Sequence, residues 1–247
     1  MLSFIRGNTE RALANFNADD DDGCFVHAYS RKIGTSPNLT KRQLHAVCLD
    51  VFTAGQETST TTMRWATLFL AAHQQDKARA EILRVVGRAR LPSMSDKPDM
   101  PYTTAIVHEI QRRANILQTN VNRRTTQSVE IMGHVIPAHT CVIGEIHQIM
   151  AHEPIFVDPT SFRPERYLNE DGITLNKEVL DRTLPFSAGK RQCAGEGLAR
   201  VELFLGISTM LQHYRILPCE SGIPIDLYPA HPVSMEPKHQ PLKLVPV

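Results

Sequence analysis

The sequence predicts a mainly α chain with a small β part. Three observations carry that expectation. Apolar residues recur at three- and four-residue steps from about Leu39 to His73, with no proline between them. The same spacing returns from about Gly195 to His213. Alternation with β-forming residues is confined to 119–143.

Residues 1–38 read as a polar lead-in, including the acidic run Asp19 to Asp22. A calcium loop needs interleaved acids and a later glutamate, so this run reads as a solvated turn. The Asn38-Leu39-Thr40 sequon carries little meaning without a secretory signal. The long helix that follows has Leu44, Val47, Cys48, Val51, Trp65, Leu68 and Phe69 at helical steps. Its middle, AGQETSTTT, is built of poor helix formers. A second helix is expected over about Asp76 to Val86, ending near Gly87. A third starts at Pro101, which suits a first helical turn, and runs to about Ile116. SVEIMGHVIPA reads as a hairpin turning at Gly133-His134. From Glu153 to Leu184 the chain is proline-rich and irregular. A glycine- and arginine-bearing loop precedes the last helix, whose apolar face is read through Leu198, Val201, Leu205 and Leu211; the tail is extended.

Composition bounds the function. The chain has 247 residues, 42% hydrophobic and 21% charged, ordinary for a globular protein that buries a sizeable core. A net charge of +1 gives no pull toward nucleic acid or a membrane surface. No uncharged apolar run reaches the roughly 18 residues of a membrane span, and MLSFIRGNTE lacks a signal peptide's apolar stretch. The five cysteines form no C-x-x-C pair, against a disulfide framework or zinc site and for a reducing compartment. The 11 histidines show no H-x3-H or HExxH spacing.

The loop PFSAGKRQCAGEGLAR carries the chemistry. A cysteine that binds metal does so as thiolate, and the helix start beyond Cys193 together with Arg191 favours an anion there. Gly189 and Gly195 permit backbone angles and close approaches that a Cβ would block, and Phe186 is placed to shield the sulfur. One thiolate on a dry face is what a haem needs to cleave dioxygen, with Arg191 paired to a propionate. The alternative is a buried structural cysteine. Elsewhere, Ala54 and Thr58 share a helix face at i, i+4, and the Thr58 hydroxyl can bond back into its own helix. Glu109 and Arg112 share a face at i, i+3; Glu81 and Arg84 have the same spacing, so spacing alone decides nothing.

Phe186, Gly189, Arg191, Cys193 and Gly195 match F-x-x-G-x-R-x-C-x-G, the haem-binding signature of the cytochrome P450 superfamily. Chance gives such a match in on the order of one chain in ten thousand or fewer at average composition. The chain therefore resembles that superfamily, in its microsomal animal form and particularly the invertebrate one. LPSMSDKPDMPYTTAIVHEIQR resembles the family's approach to its E-x-x-R helix, and FRPERY places Arg166 as the third member of a structural cluster with Glu109 and Arg112. Ala54-Gly55-Gln56-Glu57-Thr58 resembles the oxygen-binding pattern of a small residue, glycine, any residue, an acid and threonine. By that resemblance Ala54 and Gly55 make room for dioxygen, Thr58 organises proton delivery and Glu57 helps supply the protons. Arg123, or its neighbour Arg124, falls where the family has a propionate partner; Ile116 to Thr119 and the tail near Val233 fall where it faces substrate.

The resemblance covers about residue 40 to the end and reaches only the C-terminal half of a complete member. The fold it implies is the haem-ligating half of the family fold, a partial domain over 1–247, with 39–247 running from the oxygen helix through the cysteine loop to the last strands. The anchor, early helices and one wall of the pocket lie outside the match, which implies an exposed apolar surface. The implied cofactor is haem b with an axial cysteine thiolate. The implied activity is that of an oxidoreductase, a monooxygenase inserting one atom of dioxygen into a small lipophilic, xenobiotic-like substrate. Electrons come from an NADPH-dependent flavoprotein reductase docking near Lys190, at the cytoplasmic face of the endoplasmic reticulum; a cytoplasmic location is the alternative for a chain without the anchor. The competing function is a catalytically inert haem-binding or regulatory fragment. A redox-sensing cysteine, a third reading, explains none of residues 54–59.

Overall fold

The structure is a computed structural model that describes residues 1–17, 23–73, 75–220, 222–231 and 235–247; the Asp19–Asp22 run and Val233 lie outside them. The chain divides into two compact units, 1–58 and 59–247, with the boundary inside one long helix.

In the first unit, α1 (Leu2–Ala14) and α2 (Phe25–Ser30) precede the start of α3 (Lys41–Ala72). The lead-in thus holds two helices that its polar composition did not announce. α1 buries only Ile5 and Thr9, four residues apart, and Thr9 Oγ1 turns inward to donate to Ile5 O (2.9 Å). A stripe that narrow is hard to tell from a solvated segment. The His27 ring nitrogen lies 3.0 Å from Ala12 O and ties α2 to α1. Leu44, on α3, is fully buried within the same unit.

The second unit is organised by the C-terminal half of α3 with α4 (Gln75–Val85), α5 (Pro101–Ala114) and α8 (Glu196–His213). Trp65, Phe69, Ile82, Ile106, Ile110, Phe204, Ile207 and Leu211 form its core. Trp65 Nε1 finds a partner there by donating to Met235 O (2.7 Å). The face of α8 differs from expectation: Leu198 is 64% exposed, and the buried residues are Leu203, Phe204, Ile207, Ser208, Leu211 and Gln212. VELFLGISTML is apolar around most of the helix circumference, so periodicity does not select one stripe.

Among the described residues, three two-stranded antiparallel sheets make up the β part. β1 (Arg123–Arg124) pairs with β4 (Cys141–Val142), and β2 (Val129–Ile131) pairs with β3 (His134–Ile136). Ile131 faces His134, so the hairpin turns at Met132-Gly133, one residue before the expected position. Both turn residues have positive φ (51° and 80°), the geometry that two-residue hairpins favour. β5 (Tyr214–Pro218) pairs with β6 (Leu242–Pro246) and closes the tail. α6 (Ile146–His152) comes just before the Glu153 to Leu184 stretch, which itself holds α7 (Lys177–Asp181) and a 3-10 turn at Pro164–Tyr167.

α5 carries the residues that anchor this stretch, and its start is held from outside. Its N-cap, Met100, offers no side-chain bond. Instead Glu81 of α4 accepts from Tyr102 N (2.9 Å), Thr103 N (2.7 Å) and Thr103 Oγ1 (2.7 Å). Glu81 therefore does not pair with Arg84, which donates to Asp99 O. Glu81→Ala is expected to destabilise the unit by about 1–2 kcal/mol, the range for a lost helix cap. Urea unfolding measures this, and a change below about 0.3 kcal/mol would remove the capping role.

Candidate functional site

Glu109 and Arg112 lie on α5, and Arg166 on the Pro164–Tyr167 turn. Their side chains are 0%, 2% and 2% exposed. Arg112 grips Glu109 with two bonds, Nε to Oε2 (2.8 Å) and Nη2 to Oε1 (2.9 Å). Arg166 Nε adds a third (3.1 Å), and the Arg163 backbone N–H a fourth (2.9 Å). The remaining guanidinium donors go to backbone: Arg112 to Met150 O and Pro159 O, Arg166 to Val157 O and Asp158 O. Burial pulls the Arg166 guanidinium below its ordinary pKa, and the Glu109 carboxylate opposes that shift. One carboxylate thereby fastens the meander after α6 to α5. The backbone carbonyls in this lattice were not legible as site groups, because any residue type supplies a carbonyl.

One residue before Glu109, His108 is buried against Tyr167, ring centroids 5.4 Å apart. Burial first, then the charges of Arg200 and Lys97, push His108 down to about 3. Its ordinary pKa is about 6.5, so the unfolded chain takes up this proton before the folded one does. Its contribution to stability is full above about pH 6.5 and is lost as pH falls toward 3. His73 and His147 are shifted the same way, burial leading in both. The stability difference between the unsubstituted chain and His108→Gln is expected to change by up to about 1.4 kcal/mol per pH unit in that window. Urea midpoints at stepped pH measure it; a pH-independent difference would contradict the assignment.

The cysteine loop lies just before α8. Cys193 N donates to Phe186 O (2.9 Å) and Gln192 N to Gly189 O (3.0 Å), closing a narrow hairpin. Gly189 sits at φ +81°, where a side chain would be strained. Gly195 departs from expectation. Its φ is −94°, open to any residue, and an added Cβ would meet Cys193 Sγ at 3.9 Å, an ordinary contact. Cys193 is exposed, and Phe186, whose ring packs beneath the Arg200 guanidinium (5.1 Å), does not cover it. Arg123, on β1, donates Nη2 to Arg191 O (3.3 Å) and Nη1 to Val121 O (2.7 Å), so its side chain is tied to the backbone of the cysteine loop. Lys190 is exposed on the same loop.

Among the described residues, no group of three or more His, Cys, Asp or Glu could hold a metal ion. A cation that needs a closed set of protein ligands has no such set at Cys193. A single soft sulfur suits a metal that arrives with its own equatorial ring.

The other candidates lie in the first unit, on α3. Ala54, Gly55 and Glu57 are exposed there, and a Cβ on Gly55 would meet nothing within 4 Å. Thr58 Oγ1 donates to Ala54 O (2.8 Å). α3 runs through AGQETSTTT without a break. Next in sequence, and in the second unit, Ser59 Oγ donates to Glu202 Oε2 (2.8 Å), joining α3 to the helix behind the cysteine loop. Nothing in the sequence marks that pair, which is separated by 143 positions. Leu117 and Thr119 are exposed, Ile116 is half-buried, and Gln118 Nε2 points at Met235 Sδ (3.0 Å).

Residues 17–244 match the cytochrome P450 family model. The chain belongs to the cytochrome P450 family. It is 40% identical over 208 residues to rabbit (Oryctolagus cuniculus) cytochrome P450 2E1, covering 83% of this chain and 42% of that protein. Rabbit cytochrome P450 2C3 is 36% identical over 251 residues, 100% of this chain and 50% of the relative. Cytochrome P450 2E1 of Rattus norvegicus is 38% identical over 217 residues, 87% and 43% of the two chains. The chain thus spans about half the length of the curated P450s it matches. The helical body with small antiparallel sheets is part of the P450 domain. Among the described residues, no helix is long and apolar enough to cross a membrane.

Proposed function

We propose that this chain supplies the haem-ligating and oxygen-activating part of a haem-thiolate monooxygenase acting on a small lipophilic substrate. The observation that carries the reading is Cys193, a lone exposed thiol on a hydrogen-bonded loop at the start of α8. When bound, haem b supplies the redox chemistry by which one atom of dioxygen enters the substrate and the other leaves as water.

The protein's part divides among named residues. Cys193 would give the thiolate ligand, its loop held by the backbone bond to Phe186 O and by the turn at Gly189. Gly195, the N-cap of α8, stands beside the sulfur, where a Cβ would make an ordinary contact. Arg191 and Arg123 would be the partners for the propionates, and Arg123 is already tied to the loop through the Arg191 carbonyl. Ala54 and Gly55 keep one face of α3 free of bulk. Thr58 Oγ1 donates its one hydroxyl proton to Ala54 O, and would organise proton delivery by trading that hydrogen bond for others at the same oxygen. Glu57, the carboxylate beside it, is the local proton source. Glu109, Arg112 and Arg166 act on the scaffold alone. Electrons from an NADPH-dependent flavoprotein reductase and a place at the cytoplasmic face of the endoplasmic reticulum belong to the same proposal.

A second reading, a haem-binding or regulatory fragment without turnover, is favoured by the exposure of Cys193 and of Leu198 (64%). Haem titration of the purified chain separates the readings. Saturable uptake at one haem per chain, with reductase- and substrate-dependent NADPH oxidation, supports the monooxygenase. Uptake without NADPH oxidation supports the fragment, and no saturable uptake would overturn both.

A further inference from the structure

The segment joining β1 to β2 carries a hydroxyl that the fold leaves free. Arg123-Arg124-Thr125-Thr126-Gln127-Ser128 sets three hydroxyls behind two adjacent arginines. Thr125 and Ser128 are engaged by the backbone of the facing segment. Thr125 Oγ1 donates to Pro137 O (2.7 Å) and accepts from Thr140 N (2.9 Å), and Ser128 Oγ donates to Ile136 O (3.3 Å). Thr126 lies between them, exposed, and among the described residues its Oγ1 has no hydrogen-bond partner. The backbone is open at the same point. Thr125 ends the first set of cross-chain bonds, its N–H donating to Thr140 O (3.0 Å) and its carbonyl accepting from His139 N (2.8 Å). The second set starts at Val129, opposite Ile136. Thr126 and Gln127, both exposed, form a bend in the gap, with no backbone hydrogen bond among the described residues. An enzyme that reads an extended segment through its main chain finds those groups unengaged.

The flanking charge supplies the recognition. Residues two apart in extended chain share a face, and Arg124 and Thr126 are both exposed. Among the described residues, no hydrogen bond or ion pair engages the Arg124 side chain. Arg123, three positions before Thr126, is held by exposed bonds to Val121 O and Arg191 O. Such bonds exchange at small cost for charge-assisted bonds to carboxylates. No acid occurs from 110 to 129, so nothing near in sequence repels an acid-lined groove.

We propose that Thr126 is a phosphorylation site for an arginine-directed serine/threonine kinase that reads Arg124 and Arg123. In the transfer, Thr126 Oγ1 attacks the terminal phosphorus of ATP. An Oγ1–P bond forms as the bridging P–O bond breaks, ADP leaves, and the hydroxyl proton passes to the kinase's catalytic carboxylate. The phosphate adds about −1.5 to −2 charges on the face that carries Arg124. The proposal uses neither Cys193 nor haem, so its failure leaves the haem-thiolate reading untouched. The test incubates the folded full chain with ATP and the catalytic subunit of the cyclic-AMP-dependent kinase, followed by intact-mass and peptide mass spectrometry. One phosphate per chain, mapped to Thr126, is the expected result. Thr126→Ala should abolish it, and Thr126→Ser should keep it. Arg124→Gln should lower kcat/KM for the chain as kinase substrate at least about tenfold, with an unchanged far-ultraviolet spectrum. No incorporation, incorporation only after unfolding in urea, phosphate that persists in Thr126→Ala, or an unchanged rate in Arg124→Gln would each overturn the proposal.

Discussion

Glu109→Ala is expected to lower the unfolding free energy of the chain by about 3–5 kcal/mol, the cost of stranding buried charge. Two guanidiniums, each 2% exposed, lose their one carboxylate, and the Arg163 N–H loses its acceptor. Set against a typical domain stability of about 5–15 kcal/mol, that is roughly a fifth or more of the total. Arg182→Ala makes the contrast. Its pair with Glu153 is 54% and 36% exposed, so its loss should cost under about 1 kcal/mol. Replacing all three buried charges with apolar residues of similar volume, which rescues some ion clusters, is not expected to rescue this one. The arginines also serve the carbonyls of Met150, Val157, Asp158, Pro159 and Ser161, and apolar side chains would leave those unpaired. Urea unfolding followed by circular dichroism measures all three variants. A loss below about 1 kcal/mol for Glu109→Ala would show that the carboxylate is not the hub.

Cys193→Ala should have the opposite profile, no effect on the fold and complete loss of thiolate ligation. The sulfur is exposed, and the loop bond comes from the backbone N–H, which alanine keeps. Stability should therefore stay within about 0.5 kcal/mol of the unsubstituted chain. The haem, in contrast, loses its one protein-derived soft donor at this loop. A variant that unfolds would mean that Cys193 is structural, as a buried cysteine is.

How much of this was readable from sequence depends on the range of the forces involved. α3, α5 and α8 announce themselves because an apolar face against a core repeats locally, and Pro101 marks the start of α5. Glu109 and Arg112 are close in sequence and share a face, so their pairing was accessible. The Glu81 cap on Tyr102 and Thr103 was not, since a carboxylate can serve any helix start that packs beside it. Ser59 with Glu202, and Arg123 with the Arg191 carbonyl, join positions brought together only by packing. α1 escaped because its buried stripe is Ile5 and Thr9 alone. The orientation of Leu198 was misjudged because α8 is apolar on more than one side. Motif residues show what chemistry a loop can do; the partners that hold the loop are chosen by the fold.

The most direct test of Cys193 as a haem ligand is the carbon monoxide difference spectrum of the reduced, haem-loaded chain. The red-shifted Soret band of a thiolate-ligated iron is expected in the unsubstituted chain and should be absent in Cys193→Ala. A band typical of histidine ligation, or a spectrum that the substitution leaves unchanged, would contradict it.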